Sequence, residues 1–428
     1  MVELRYFYKK YLLMHKLLFC LLLVVSVGYG QELTPEMESI SNELDALTAK
    51  RKKLMAEMEV LKLDWIQNEL KTIGFPNKGS QEEIIEHLAY SLSYNETHEQ
   101  ANWVMHIILP AIAEGNFSRS NDFRVDDKVK TGTAQENDYF LKELKADSSF
   151  KYDGFGYDRG HLAPSADFRW SQDALSESYF YSNMSPQIGD FNRDKWAELE
   201  NWLREYVLRN NTYLTIVTAP VLTDDLAKIE RSVNGVSIPK YFVKVALDKK
   251  NNRGIGFVLP HEKIERPIES FAVSIDSVER LLGYDLFSGM EDEIEQEIEA
   301  SEDYKPWLPQ TEKGDVKAIS YKRLPKKHIN TYNVHVFIGD GKKHTVCGRV
   351  VSAKKHEKGH VFINLDKQFP NQIFSVSIFE SNIPNFDYEP EVHLKDKEVC
   401  FTAEITDYHG TPNMIIENGK QVKFLGDY

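Results

Sequence analysis

The sequence predicts an α+β protein in which a domain with a central antiparallel sheet follows a coiled-coil-like helix and precedes a small β-barrel. Three observations predict this class. Apolar residues recur every 3.5 positions on average between residues 37 and 61, strand-like and helical runs alternate from residue 90 to 287, and five short β-like runs lie near the C-terminus. We predict boundaries at residues 1–30, 31–72, 73–303, 304–330 (a linker) and 331–428.

Composition is typical of a soluble globular protein of more than one domain. The chain has 428 residues, 42% hydrophobic and 28% charged, which excludes wholesale disorder. Its formal net charge of −14 is unfavourable for binding to phosphates, which requires Lys and Arg. A site for nucleic acid would therefore need a local excess of positive charge.

Residues 1–30 have the layout of a secretory signal peptide: basic residues, the apolar run 17–27, and small residues ending at Gly30. The apolar run is too short for a comfortable membrane span, although an uncleaved anchor is the alternative. This segment predicts a secreted or periplasmic/envelope protein with no stable membrane span after cleavage.

A helix is predicted to start at Thr34, a good N-cap, with Pro35 at the first helical position. Its apolar stripe alternates spacings of four and three: Met37, Ile40, Leu44, Leu47, Leu54, Met58 and Leu61. This stripe predicts either a homo-oligomer through a coiled coil or one helix packed on its own domain.

The central part predicts several elements. A short helical piece lies near residues 82–88, and strands are predicted at 103–109, 179–182, 213–218, 241–247 and 254–259. Residues 194–208 predict a helix with Trp196, Leu199, Leu203 and Val207 on one face, and residues 274–282 predict another ending at Gly283. The acidic run 291–303 predicts a solvated helix or linker.

Five β-like runs, at 345–353, 360–366, 374–379, 398–407 and 414–417, predict a small closed barrel that resembles an OB-fold. Cys347 and Cys400 lie in two of these runs. They can form a disulfide or remain two buried thiols.

The segment Tyr157-Asp158-Arg159-Gly160-His161 carries the strongest chemical signal. On a strand, Arg159 and His161 share one face, so an imidazole that can accept a proton lies beside a guanidinium that can bind phosphate. Gly160 between them is expected to leave room for a substrate backbone.

A second cluster runs from Ser182 to Gln187 and from Asn192 to Glu200. The amide oxygen of Asn192 suits Mg²⁺, and Glu200 is expected about 80° away around a regular helix, where it would hold metal-bound waters. Together the two clusters favour hydrolysis of a phosphodiester.

The motifs D-R-G-H, S-N-M-x-P-Q and N-x-x-x-W-x-x-L-E, in this order, resemble the DNA/RNA non-specific endonucleases of the ββα-metal group, which includes endonuclease G. The resemblance covers residues 90–287. It implies DNA and RNA as substrates and Mg²⁺ as cofactor, with Mn²⁺ as an alternative.

Position by position, the resemblance implies His161 as general base, Asn192 as the direct metal ligand, Glu200 behind it, and Arg159 and Asn183 as supports for phosphate and site. An upstream arginine is also expected to contact the substrate, and either Arg124 or Arg119 could fill that role.

Asp158 and Asp167 are predicted to be structural, and His106 an ordinary surface or core residue. The competing hypothesis is a nucleic-acid-binding protein that acts through the OB-like domain and has an inactive nuclease domain.

Overall fold

The computed structural model describes residues 34–79, 82–115, 117–408 and 411–428. By its internal contacts the chain divides into two compact units, Met1–Met58 and Glu59–Tyr428. The predicted signal peptide lies outside the described residues. Within the described part, no helix combines the length and the hydropathy that a membrane span requires.

Helix α1 (Pro35–Ile73) begins where the sequence predicts, with the Met37 backbone amide donating to Thr34 Oγ1 at 3.3 Å. In the first unit the predicted apolar stripe is exposed along its length, from Met37 to Leu54. In the second unit the end of the helix is buried, and Ile66, Leu70 and Ile73 join the main core. Oligomerisation through the exposed stripe stays a prediction.

The central sheet is antiparallel throughout, as predicted, and has seven strands in the order β1-β2-β3-β8-β9-β10-β11. Its strands are β1 (Ile85–Glu86), β2 (Tyr90–Asn95), β3 (Gln100–Ile108), β8 (Leu214–Pro220), β9 (Tyr241–Asp248), β10 (Arg253–Pro260) and β11 (Ala272–Val273). The inner strands are buried on both faces, which explains their continuous apolar runs. The short helix predicted near residues 82–88 is instead strand β1, because those residues pair with the edge of β2.

Two hairpins project from the sheet: β4 (Phe140–Leu144) with β5 (Phe150–Gly154), and β6 (Asp158–His161) with β7 (Met184–Gln187). The strand predicted at 179–182 is wrong. Residues 181–183 form a 3₁₀ turn there, and only an isolated bridge joins Phe180 to Arg124. This turn directly precedes strand β7.

Four helices pack around the sheet: α2 (Gln172–Glu177), α3 (Ala197–Asn210), α4 (Ile275–Leu282) and α5 (Asp292–Glu299). The predicted apolar face of α3 is confirmed, because Leu199, Leu203 and Val207 are buried in the core. Helix α4 ends at Gly283, whose φ of 72° is a left-handed conformation that glycine adopts without strain. The acidic α5 is not wholly solvated, since Ile298 and Glu299 are buried.

The C-terminal region contains the predicted small closed barrel. Strands β13 (Lys343–Lys355), β14 (Val361–Leu365), β15 (Ser375–Ile378), β17 (Thr411–Ile415) and β16 (Glu398–Tyr408) follow one another, and β16 pairs back with β13. Strands β12 (His328–Asn330) and β18 (Val422–Phe424) add to its edges, and helix α6 (Pro390–His393) precedes β16. Alternate residues fill the interior, among them Val346, Ile363 and Phe401.

Cys347 and Cys400 lie opposite each other in the β13–β16 register and form a disulfide. The structure therefore decides between the two states that the sequence left open.

The linker and the barrel are joined to the nuclease-like region by specific contacts to helix α3. Trp307 stacks on Tyr206 with ring centres 4.4 Å apart, and Arg209 donates to the carbonyl oxygens of Pro306 and Leu308 at 3.1 Å each. Lys367 of the barrel donates to Glu205 at 3.3 Å. These bonds bring one side of the barrel to the helix that follows Asn192.

Candidate active site

The β6–β7 hairpin presents the first predicted cluster. Arg159 and His161 lie two residues apart on β6, and both line one cleft of about 1000 Å³. Gly160 between them faces inward, and a Cβ there would collide with the side chain of Gln187. The prediction that Gly160 makes room for substrate is therefore wrong, because Gln187 from the neighbouring strand occupies that space.

His161 is partly buried against aromatic rings. Its ring centre lies 5.0 Å from that of Tyr179 and 5.7 Å from that of Phe123. Its Nε2 atom is buried and has no hydrogen-bond partner in the described part of the chain. Burial, with the positive charges of Arg119 and Arg159, lowers the pKa of His161 to about 3. The imidazole is therefore neutral at physiological pH and able to accept a proton.

Arg159 is held by aromatic groups rather than by a carboxylate. Its guanidinium lies 3.5 Å from the centre of the Phe123 ring and 5.1 Å from that of Phe140, and it donates to the Tyr181 hydroxyl at 3.3 Å. Among the described residues it forms no ion pair, so its charge is available to a phosphate.

The structure separates the two candidate upstream arginines. Arg119 lines the cleft, and burial together with the charges of Arg159 and Arg193 lowers its pKa, although Tyr179 opposes this. Arg124 does not line the cleft: its guanidinium lies 4.0 Å from the Phe180 ring centre and donates to Asp122 at 2.6 Å. Arg119 is the arginine placed to contact a substrate in the cleft.

Asn183 is fully buried, and both polar atoms of its side chain are used. Its Nδ2 donates to the carbonyl oxygens of Ala163 and Ser178 at 2.9 and 2.8 Å, and its Oδ1 accepts from the Ala163 amide at 2.8 Å. This geometry gives Asn183 a positioning part, because it fixes the chain just after His161, and leaves it no atom for the substrate.

Asn192 lies on a turn of π-helix, Phe191–Trp196, which leads into α3. Its Nδ2 donates to Asp158 at 3.0 Å, and Arg193 holds the same carboxylate. Within the described residues its Oδ1 has no hydrogen-bond partner. Asp158, on strand β6, thus orients the side-chain amide of Asn192, in line with its predicted structural role.

Glu200 lies on α3 and lines the same cleft. The predicted 80° between Glu200 and Asn192 is wrong, because it assumes a regular α-helix and the π-helical turn changes the angle per residue. Burial raises the pKa of the Glu200 carboxyl, opposed by Lys244 and by Arg204, which donates to it at 3.4 Å.

A buried network behind Glu200 was missed by the sequence analysis. Asp167 accepts from Arg204 at 2.6 Å and contacts His106 at 3.0 Å, and Lys244 donates to Thr218 at 2.7 Å from a central strand. Burial lowers the pKa of Lys244 to about 8. The four-residue spacing of Glu200 and Arg204 on one helix was the signal that could have revealed the network.

The second wall of the cleft was also missed. It is formed by the end of the linker and by the barrel, and it includes Tyr321, Lys326, Lys327, His335, Phe337 and Lys343. A sequence pattern of separate domains gives no sign that one domain covers the site of another.

Comparison with known proteins identifies the family of this chain. The sequence profile of the family described as DNA/RNA non-specific endonuclease matches residues 66–293. A nuclease of Syncephalastrum racemosum is 30% identical over 236 residues, covering 50% of this chain and 70% of that protein. The mitochondrial endonuclease G of Bos taurus is 30% identical (50% and 71% covered), and the mitochondrial nuclease of Saccharomyces cerevisiae is 31% identical (50% and 67% covered).

These names contradict the predicted secreted or periplasmic/envelope location, because two of the three relatives are named as mitochondrial proteins. The predicted enzymatic class, in contrast, is confirmed by the family match and by all three relatives. The match spans more than half of the chain and contains every residue of the β6–β7 hairpin, Asn192 and Glu200. The chain belongs to the DNA/RNA non-specific endonuclease family and is a nuclease.

Proposed function

We propose that this protein is a Mg²⁺-dependent endonuclease that hydrolyses phosphodiester bonds of DNA and RNA with little base preference. The observation that carries the proposal is His161 Nε2, a buried polar atom without a hydrogen-bond partner among the described residues, in the same cleft as the side chain of Asn192. Buried polar groups without a partner are rare in folded proteins and often mark the place of a ligand or of the chemistry.

The residues present fit a magnesium ion. Asn192 offers a neutral amide oxygen, which Mg²⁺ accepts as one ligand while it keeps several waters. Glu200 lines the same cleft with a largely buried side chain, and it would hold such waters rather than bind the ion. When bound, the ion would neutralise charge on the phosphoryl oxygens and assist the leaving oxygen. Mn²⁺ suits the same oxygen ligands.

The protein's own groups supply the remaining functions. His161 is neutral and takes a proton from the attacking water, which increases the nucleophilicity of that water. Arg159 and Arg119 approach the same cleft with positive charge and bind the oxygens of the phosphate as its charge grows. Asp158 and Asn183 hold the two elements in place.

The first test is cleavage of plasmid DNA and of RNA by the purified protein at neutral pH, with Mg²⁺ and with EDTA. We expect cleavage of both with Mg²⁺ and none with EDTA. Metal-independent cleavage would refute the proposed cofactor.

The His161→Ala variant tests the assigned base. We expect kcat to fall by about 10²–10⁴-fold while the affinity for an oligonucleotide is kept, because a general base acts on the chemical step. His98→Ala is the matched control, since His98 bonds Ser237 and does not line the cleft. Equal loss of activity in both variants would show that the effect is not specific to His161.

A further inference from the structure

The cleft that contains His161 has two walls. The β6–β7 hairpin and the turn with Asn192 form one, and the segment from Tyr321 to the start of β13 forms the other. The cleft encloses about 1000 Å³, and charged side chains line both of its walls.

The second wall is bonded directly to the catalytic turn. Asn333 donates to the carbonyl oxygen of Arg193 at 2.8 Å, next to Asn192 in the chain. The Tyr321 hydroxyl donates to Asp190 at 2.6 Å, and Ser320 donates to Asp194 at 2.7 Å. Several hydrogen bonds to one turn define the position of the wall.

The wall carries unpaired positive charge. Lys326, Lys327 and Lys343 line the cleft and are exposed, and none forms an ion pair within the part of the chain that the structure describes. Neighbouring basic residues are neutralised instead: Lys322 pairs with Asp190, and Arg323 with Glu398. The three lysines that line the cleft therefore have no carboxylate partner in the described part of the chain.

An aromatic side chain accompanies these lysines. Phe337 lines the cleft from the second wall, with its ring centre 6.0 Å from the guanidinium of Arg119. A groove that combines free cations with an aromatic ring is the arrangement by which proteins bind unpaired strands: the cations follow the backbone and the ring stacks on a base.

We infer that the cleft takes single-stranded nucleic acid, and that the barrel side binds the nucleotides beside the scissile phosphate. This inference rests on the proposed function and adds a substrate class to it. The strand lies between the two walls, with its phosphates against Lys326, Lys327 and Lys343 and a base against Phe337.

The test compares one labelled oligonucleotide of non-self-complementary sequence, alone and annealed to its complement, with full-length protein and Mg²⁺. We expect kcat/KM to be at least about tenfold higher for the unpaired strand, because the duplex must open first. Equal or faster cleavage of the duplex overturns the inference and leaves the proposed function intact. If neither substrate is cleaved, both fail.

Variants of the second wall give an independent result. For the unpaired strand, Lys326→Ala with Lys327→Ala should reduce the slope of log kcat/KM against log salt by about 1.4, from about 0.7 per lost phosphate contact. Phe337→Ala should lower kcat/KM about tenfold, the loss of one stacked base. Lys354→Ala with Lys358→Ala is the matched control, because both lysines are exposed on the barrel outside the cleft. The same slope in both double variants would overturn the inference.

Discussion

Replacing Asp167 by Asn should destabilise the protein and also weaken catalysis, although Asp167 does not reach the cleft. The carboxylate is 1% exposed and is held by Arg204 at 2.6 Å and His106 at 3.0 Å. Despite burial, which acts in the opposite direction, Arg204 and His106 lower its pKa from 3.8 to about 2. This lowering of the pKa corresponds to about 2 kcal/mol of stability at neutral pH.

The substitution also leaves the buried positive charge of Arg204 with less negative charge beside it. The total loss in the free energy of unfolding at pH 7 should therefore be about 3–5 kcal/mol. The sign of the pH dependence follows from the lowered pKa. The ionised Asp167 side chain stabilises the fold fully above pH 3.8, and this contribution is lost as the pH falls through 2. The difference in the free energy of unfolding between wild type and variant should therefore narrow by about 1 kcal/mol between pH 6 and pH 3. Denaturant unfolding at the two pH values measures it.

The catalytic effect of Asp167→Asn comes through Glu200. With asparagine at position 167, Glu200 is the carboxylate that remains beside Arg204. Arg204 then attracts the Glu200 carboxylate away from the position where it would hold metal-bound waters. We expect kcat to fall about 10- to 100-fold at saturating Mg²⁺, the usual cost of losing an outer support of a metal site. The control Asp173→Asn, exposed on α2, should change the free energy of unfolding by less than about 0.5 kcal/mol. A loss below about 1 kcal/mol for Asp167→Asn would refute this account.

Four further substitutions test the site and the fold. Arg119→Ala should raise KM for an oligonucleotide about tenfold and Arg124→Ala should not, since only Arg119 lines the cleft; equal effects would contradict the assignment. Asn192→Ala should raise the Mg²⁺ concentration for half-maximal activity about 10- to 100-fold, which a metal titration measures. Burial and the charge of Glu279 raise the pKa of Glu299 to about 8, so wild-type stability falls as the pH rises from 4.5 to 8. Thermal unfolding of Glu299→Gln should therefore show about 5 kcal/mol of added stability at pH 9 and less than about 1 kcal/mol at pH 5.

Local patterns predicted the elements on which the site is built. The apolar face of α3 follows from spacing alone, and the β6 strand places Arg159 and His161 on one face because side chains alternate along a strand. Both are properties of a few consecutive residues. They depend little on the remainder of the fold, which is why they could be predicted without it.

The errors arise where distant segments meet. Gly160 is required by Gln187 of the neighbouring strand, a contact that no local spacing reveals. Of the two arginines that the sequence left open, Arg124 is held away from the cleft by Asp122 and Phe180. The π-helical turn at Asn192 interrupts a pattern that is otherwise that of a regular helix. Two elements also differ from the prediction, because residues 85–86 form a strand and residues 181–183 form a 3₁₀ turn.

The net charge of −14 is consistent with a nuclease once the position of each charge is considered. The acidic helix α5 has no residue in the cleft, whereas Arg119, Arg159 and three unpaired lysines of the second wall line it. At physiological ionic strength charges are screened beyond about 8 Å, so a phosphate in the cleft responds to these nearby cations rather than to the total. Lys343 of the barrel and Lys326 and Lys327 of the linker add positive charge to that of Arg119 and Arg159 in the cleft. The acidic remainder of the surface repels nucleic acid elsewhere, which would concentrate binding at the cleft.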